Sequence, residues 1–192
     1  MAATVALVCL MQKSIESGPV NMIRTIYLDM DGVLCDFYKA YKQRFNVSPT
    51  SLVAKVPKKE KELYKRNWME FIEEEGFATL PSLKGWNEIV RLCDTYKEVE
   101  KKILTSSGNE EALEEISRQK KSWLWDHCIG YECIVVPGKQ FKKDYAKRTT
   151  LLIDDTSTNC ENFRDNGGIA IQHCGDYYDV IHQLQQIMME NQ

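Results

Sequence analysis

Short apolar runs that end in acidic or hydroxyl residues alternate with stretches of helical spacing along this chain. Arg24 to Asp29 (RTIYLD) is rich in β-formers and stops abruptly in an acid. That pattern predicts a buried parallel strand whose C-terminal end opens onto a site. Lys102 to Ser106 (KILTS), Glu132 to Val136 (ECIVV), Thr150 to Asp154 (TLLID) and Gly168 to Gln172 (GIAIQ) predict further strands. Helices are predicted over Phe37 to Gln43, Lys58 to Glu75, Trp86 to Tyr96, Glu110 to His127 and Tyr178 to Met189. In the second of these, Leu63, Trp68, Phe71 and Ile72 form the apolar stripe, and Gly76 stops the helix. Ser48 to Val56 reads as irregular, and Pro81 and Gly85 punctuate the loop before the third helix. Strands alternating with helices predict an α/β three-layer fold with a mainly parallel sheet. Ligands in such folds sit beyond the carboxyl ends of the strands. Here those ends carry Asp29, Thr105-Ser106 and Asp154-Asp155.

Length and composition narrow the setting. With 192 residues, the chain suits one domain carrying a small inserted subdomain. A net charge of −3 gives no support for a nucleic-acid polymer or a membrane surface as partner. No apolar run approaches the ~18 residues of a spanning helix. The seven cysteines are odd in number and lack CxxC spacing, which reads as reduced thiols in a cytoplasmic protein. Ala2 to Met11 is apolar but has no basic flank or clear cleavage site. Residues 1–22 therefore read as a leader without fixed structure, and Met22 is a candidate start. His127, His173 and His182 do not cluster in sequence and read as structural or surface residues.

The chemistry lies at the strand ends. Asp29-Met30-Asp31-Gly32 puts two carboxylates two residues apart where a strand runs out. In an extended chain both share one side, and the glycine lets the backbone turn. Such a pair can hold a hard cation while one carboxylate attacks and the other moves protons. The same residues would also suit a strand terminus or helix cap. Asp154-Asp155 tips the balance, because adjacent acids at a buried edge repel unless a cation joins them. Asp29, Asp31, Asp154 and Asp155 together are thus a candidate Mg²⁺ site. Thr105, Ser106 and Ser107, followed by Gly108, can offer hydroxyls and N–H groups to a phosphate. Lys139, Lys142 and Lys143 are candidates to neutralise its oxygens.

In this order along the chain, DMDG, ILTS, a lysine and LLIDD resemble the four motifs of the haloacid dehalogenase-like phosphatases, across residues 24 to about 175. YLDMDGVLCDF and GFATLPSLKGWNEIV are similar, more narrowly, to segments of the 5'(3')-deoxyribonucleotidases. The resemblance implies a Rossmann-like core over 23–37 and 81–192, with a small helical cap over 38–80. It implies Asp29 as nucleophile and Asp31 as general acid/base. Magnesium would be held by Asp29, the Asp31 backbone carbonyl and Asp155, with Asp154 adjacent. Thr105, with Ser106, would bind phosphate. Lys142 is the preferred lysine, because it needs the shortest insertion before LLIDD, and Lys139 is its rival. Phe37, Trp68, Phe71 and Phe77 are candidates to pack on a nucleobase, Phe77 foremost. Two departures stand out: Ser107-Gly108 replaces the proline usual after the second motif, and the cap is less aromatic. The implied activity is Mg-dependent dephosphorylation of a (deoxy)nucleoside monophosphate, a small-molecule nucleotide, by an enzyme compatible with a homodimer. The competing readings are a phosphatase for another small ester, such as a sugar phosphate, and a non-catalytic nucleotide-binding protein.

Overall fold

A computed structural model of the chain describes residues 22–49 and 57–191. The leader before Met22 and residues 50–56 of the irregular stretch lie outside the described residues. The elements are β1 (Thr25–Leu28), α1 (Phe37–Phe45), α2 (Lys58–Glu73), α3 (Trp86–Thr95), β2 (Glu100–Ser106), α4 (Leu113–Asp126), β3 (Glu132–Val136), a 3-10 helix (Lys139–Tyr145), β4 (Thr150–Asp154), α5 (Ser157–Asp165), β5 (Ile169–Gln172) and α6 (Tyr177–Glu190). The strands form one sheet in the order β3-β2-β1-β4-β5, and every pair is parallel. The chain winds outward from β1 in one direction through β2 and β3. It then returns to the other side of β1 for β4 and β5. The crevice between β1 and β4 is therefore the topological switch point, where α/β sheets place their ligands.

Strand alternation builds two cores. Ile26, Leu28, Ile103, Leu151, Ile153 and Ile171 face the larger one, with Ile89, Ile116, Trp123, Val180 and Leu184 from helices α3, α4 and α6. Tyr27, Leu104, Leu152 and Ala170 face the other way, onto Cys160 and Phe163 of α5 and Tyr145 of the 3-10 helix. Burying such side chains fully contributes about 1.5–3 kcal/mol each. Leu28 lies level with Ile103 on one side and Ile153 on the other. The residue after β1, Asp29, keeps that register by donating its N–H to the Ile153 carbonyl at 2.8 Å. Asp29 and Asp154 thus leave the sheet side by side.

Three features depart from the sequence reading. Helix α5 was not legible as such: STNCENFRD has weak helix formers and only Asn159, Cys160 and Phe163 buried. It stands because Phe163 packs edge-on to Tyr27, with ring centroids 6.4 Å apart. The segment after Gly138 is a 3-10 helix, which delivers Lys142 inward. Helix α2 buries Tyr64, Asn67, Phe71 and Ile72, whereas Leu63 is exposed. A shift of one position turns a helical side chain by about 100°, enough to take Leu63 off the inward stripe.

Helices α1 and α2 form an excursion between β1 and α3. Its two ends meet at its base: the Asp36 N–H donates to the Pro81 carbonyl (2.8 Å) and the Leu83 N–H to the Leu34 carbonyl (2.9 Å). Helix α4 holds the returning limb from below. Gln119 accepts from the Phe77 N–H (3.0 Å) and donates to the Ile72 carbonyl (2.7 Å), while the Trp123 indole donates to the Leu80 carbonyl (2.7 Å). Among the described residues no helix is long and apolar enough to cross a membrane.

Candidate active site

Just past β1 the chain turns tightly. The N–H groups of Val33, Leu34 and Cys35 converge on the Met30 carbonyl at 3.3, 2.8 and 3.1 Å. Gly32 has φ +82°, and a Cβ there would collide with the Asp155 carboxylate. Only glycine accommodates both the left-handed backbone and that close approach. The far side of the turn is fixed by the sheet's β5 edge. The His173 Nδ1 lies 2.9 Å from the Gly32 carbonyl oxygen, and the Tyr177 hydroxyl donates to the Val33 carbonyl at 2.7 Å.

Asp29, Asp154 and Asp155 bring one carboxylate oxygen each to within 4.8 Å of one another. Lys142 rises between them from the 3-10 helix, 2% exposed. Its Nζ lies 2.8 Å from Asp29 Oδ2 and 2.6 Å from Asp154 Oδ2. Burial opposes the Lys142 charge, but the two acids outweigh burial and its pKa is raised. Asp154 is also held by the Asn159 amide, 2.9 and 3.1 Å from its oxygens, and by the Thr156 N–H at 2.9 Å. Its pKa is raised nonetheless, first by burial and then by Asp29.

Burial, with repulsion from Asp29 and Asp154, pushes Asp155 up to about 7. Three carboxylates this close could hold a hard divalent cation through their oxygens. A carboxyl whose folded pKa is raised stabilises the fold below its unfolded value and loses that contribution as pH rises to the folded one. Protein stripped of divalent ions should therefore lose stability between about pH 4 and pH 7. Added Mg²⁺ should raise the unfolding temperature more at pH 8 than at pH 5. Calorimetric scans with and without EDTA check both, and a Mg²⁺ effect independent of pH would count against a cation among these acids.

The fourth acid goes elsewhere. The residue pattern grouped Asp31 with the other three acids, while the resemblance implied its backbone carbonyl as the ligand; its carboxylate lies outside their cluster. It pairs instead with the ammonium of Lys120, which also donates to Thr105 Oγ1 at 2.7 Å. The chain turns at Met30, so the shared side expected of an extended segment is lost. Thr105 is fully buried at the end of β2 beside this pair. Ser106 accepts the Gly108 N–H at 3.0 Å, and Ser107 is buried and bonded to the Asn109 and Val136 carbonyls. Of the rival lysines, Lys142 is at the acids and Lys139 is exposed.

Phe77 is 2% exposed, stacked on Phe37 at 5.3 Å and 13°. Its ring is the buried floor of an aromatic cluster rather than an open platform, which corrects its reading as the foremost base contact. Phe37 and Trp68 are more open, and Trp68 lies against Gly108. Phe71 is buried between α1 and α2. Tyr38, 46% exposed, stands near enough to the site for Asp155 and Asp31 to add to burial in raising its pKa.

Sequence reasoning missed Lys120, Asn159 and Tyr38. Lys120 had a signal: Ile116, Lys120, Trp123 and Leu124 follow helical spacing, so a lysine occupies a position where core is expected. Asn159 lay in the unread helix, and Tyr38 carried no distinguishing pattern.

Solved structures described as haloacid dehalogenase-like hydrolases share this wholly parallel fold. A haloacid dehalogenase-like family hydrolase from Streptococcus pneumoniae matches with a TM-score of 0.54 at 13% identity, over 83% of this chain and 90% of that one. YfnB from Bacillus subtilis, described as a HAD-hydrolase bound to magnesium, matches with a TM-score of 0.51 at 13% identity, over 85% and 99%. The family model described as 5' nucleotidase, deoxy (pyrimidine), cytosolic type C protein matches residues 21–185. The chain belongs to that family and is a phosphatase of the nucleotidase kind. A comparison with curated proteins returns no match.

Proposed function

We propose that this phosphatase hydrolyses (deoxy)nucleoside monophosphates with Mg²⁺, through a phosphoryl group carried transiently on Asp29. The observation that carries the reading is the division of four acids into two units around two buried lysines. Asp29 and Asp154 share Lys142 with Asp155 clustered beside them, while Asp31 pairs with Lys120 beside Thr105. When ionised, Asp29, Asp154 and Asp155 beside the one ammonium of Lys142 leave an excess of two negative charges, the charge a divalent cation would cancel. Asp29, Asp154 and Asp155 would hold Mg²⁺, which supplies polarisation of the phosphoryl group and charge neutralisation.

The chain's own groups do the rest. An Asp29 oxygen attacks phosphorus, and the bond from phosphorus to the nucleoside oxygen breaks. Asp31 gives that oxygen a proton. Asp31 then takes a proton from water, whose oxygen attacks phosphorus and releases Asp29 and inorganic phosphate. Thr105 and Lys142 orient the phosphoryl oxygens, so that positioning and electrostatics lower the barrier. The α1–α2 excursion acts as the cap, with Phe37, Trp68 and Tyr38 at its inner face toward the nucleoside. Family membership supports this reading, as does the magnesium bound by YfnB, which shares the fold.

A phosphate-release screen over deoxyribo- and ribonucleoside monophosphates and sugar phosphates, with and without EDTA, tests it. Mg²⁺-dependent release from nucleotides above sugar phosphates is expected. A preference for sugar phosphates, or no turnover of any ester, would overturn the substrate assignment.

A further inference from the structure

Lys120 is fully buried, and each side of its ammonium is occupied. One N–H points to Asp31 Oδ2, a second to Thr105 Oγ1 at 2.7 Å, and the Phe77 ring centroid lies 5.4 Å away. The other Asp31 oxygen, Oδ1, lies 3.6 Å from the Cys35 thiol. Both Asp31 oxygens are therefore engaged, yet its side chain keeps 22% exposure toward the site. Lys120 is mounted rigidly as well. Its neighbours Gln119 and Trp123 tie α4 to Ile72, Phe77 and Leu80 of the returning limb.

We infer that Lys120 is a positioning residue for Asp31: it aims the carboxyl group that, when protonated, gives its proton to the leaving nucleoside oxygen, and keeps it out of the cation-binding acids. The inference rests on the proposed phosphatase reading and adds a residue to it. Lys142 cannot substitute, because it is committed to Asp29 and Asp154. Without Lys120, Asp31 lies only two residues from Asp29 and is free to swing toward the same cation. The nucleophile would still attack, but the proton would no longer be delivered along the breaking bond. An error in aim of this kind costs on the order of 100-fold.

A double-mutant cycle on the full chain tests this, read as single-turnover nucleoside release from a deoxynucleoside monophosphate with Mg²⁺. Lys120→Met should slow release about 100-fold where Asp31 is present. In the Asp31→Asn protein the same change should cost no more than about 2-fold, because the two act through one group. The wild-type and Lys120→Met proteins are also compared on p-nitrophenyl phosphate, whose phenolate departs without a proton. There the first-turnover penalty should shrink to a few-fold. Equal penalties in both backgrounds, or on both substrates, would overturn the inference and make Lys120 a phosphate-binding charge. Thermal unfolding confirms the fold of each variant, and Lys120→Gln repeats the cycle if the methionine variant does not fold. A wild-type protein inert toward every ester defeats the phosphatase reading instead, so the two failures are told apart.

Discussion

An Asp29→Asn protein should release phosphate at least ~10⁴-fold more slowly than wild type, since it lacks the atom proposed to accept the phosphoryl group. The amide keeps the volume and one oxygen of the carboxylate, so the packing around it is kept, and only one of its two acceptor contacts, to the Met30 N–H or to Lys142, is given up. The same substitution should leave the metal-free protein as stable as wild type or more so. Asp29 is one of three acids within 4.8 Å, and its charge helps push Asp155 up to about 7. Neutralising it relieves that repulsion, while Lys142 keeps Asp154 as its partner at 2.6 Å. Unfolding scans in EDTA and phosphate release in Mg²⁺ read the two effects separately. A variant that folds and still turns over at a tenth of the wild-type rate removes Asp29 from the role of nucleophile. A variant that loses both activity and fold says that its carboxylate is chiefly structural.

The opposite signs of these two effects are what a functional site predicts. Groups gathered for chemistry are held against their mutual repulsion, and the remainder of the fold supplies the restraint. Here the restraint is visible in the register of Leu28 with Ile103 and Ile153, which sets Asp29 beside Asp154. It is visible again in Gly32, where no other residue fits against Asp155.

The sheet was legible because its strands are short, apolar and β-branched, and a buried parallel strand requires little else. The acids at its ends were legible because a carboxylate directly after such a run needs a reason to be there. What pattern alone could not give was direction. Asp29 and Asp31 looked equivalent, and only the turn at Met30 separates them, sending one to Lys142 and the other to Lys120. Spacing before LLIDD preferred Lys142 but left Lys139 as its rival. The structure decides it: Lys142 of the 3-10 helix is buried against Asp29 and Asp154, while Lys139 at its first position and Lys143 are in solvent. Aromatic residues of the excursion misled for a similar reason. Phe77 has the composition of a stacking platform, but it is buried against Phe37, Trp68 and Phe71, and composition does not distinguish the floor of a cluster from its rim.

Lys142→Met should be the most damaging single change to the site, through stability as well as rate. The methionine fits the space but leaves Asp29 and Asp154, both nearly inaccessible, without their shared cation. Removing one partner of a buried ion pair costs about 3–5 kcal/mol, because the remaining charge keeps its desolvation penalty. In a chain of this size that corresponds to a fall of about 6–20 °C in unfolding temperature. The loss should be largest in EDTA above pH 7, where the acids are ionised. It should shrink when Mg²⁺ is added, because a cation bound by the same carboxylates takes over part of the neutralisation. Phosphate release should remain abolished even then, since a cation among the acids does not replace an ammonium directed at the phosphoryl oxygens. Lys139→Met, three positions earlier and exposed, should change stability by no more than about 0.5 kcal/mol. Thermal scans of the two variants across pH and Mg²⁺ concentration decide the matter. A Lys142→Met protein as stable as wild type in EDTA would mean that the acids are already protonated or solvated there, and the charge balance built on Lys142 would fail with it.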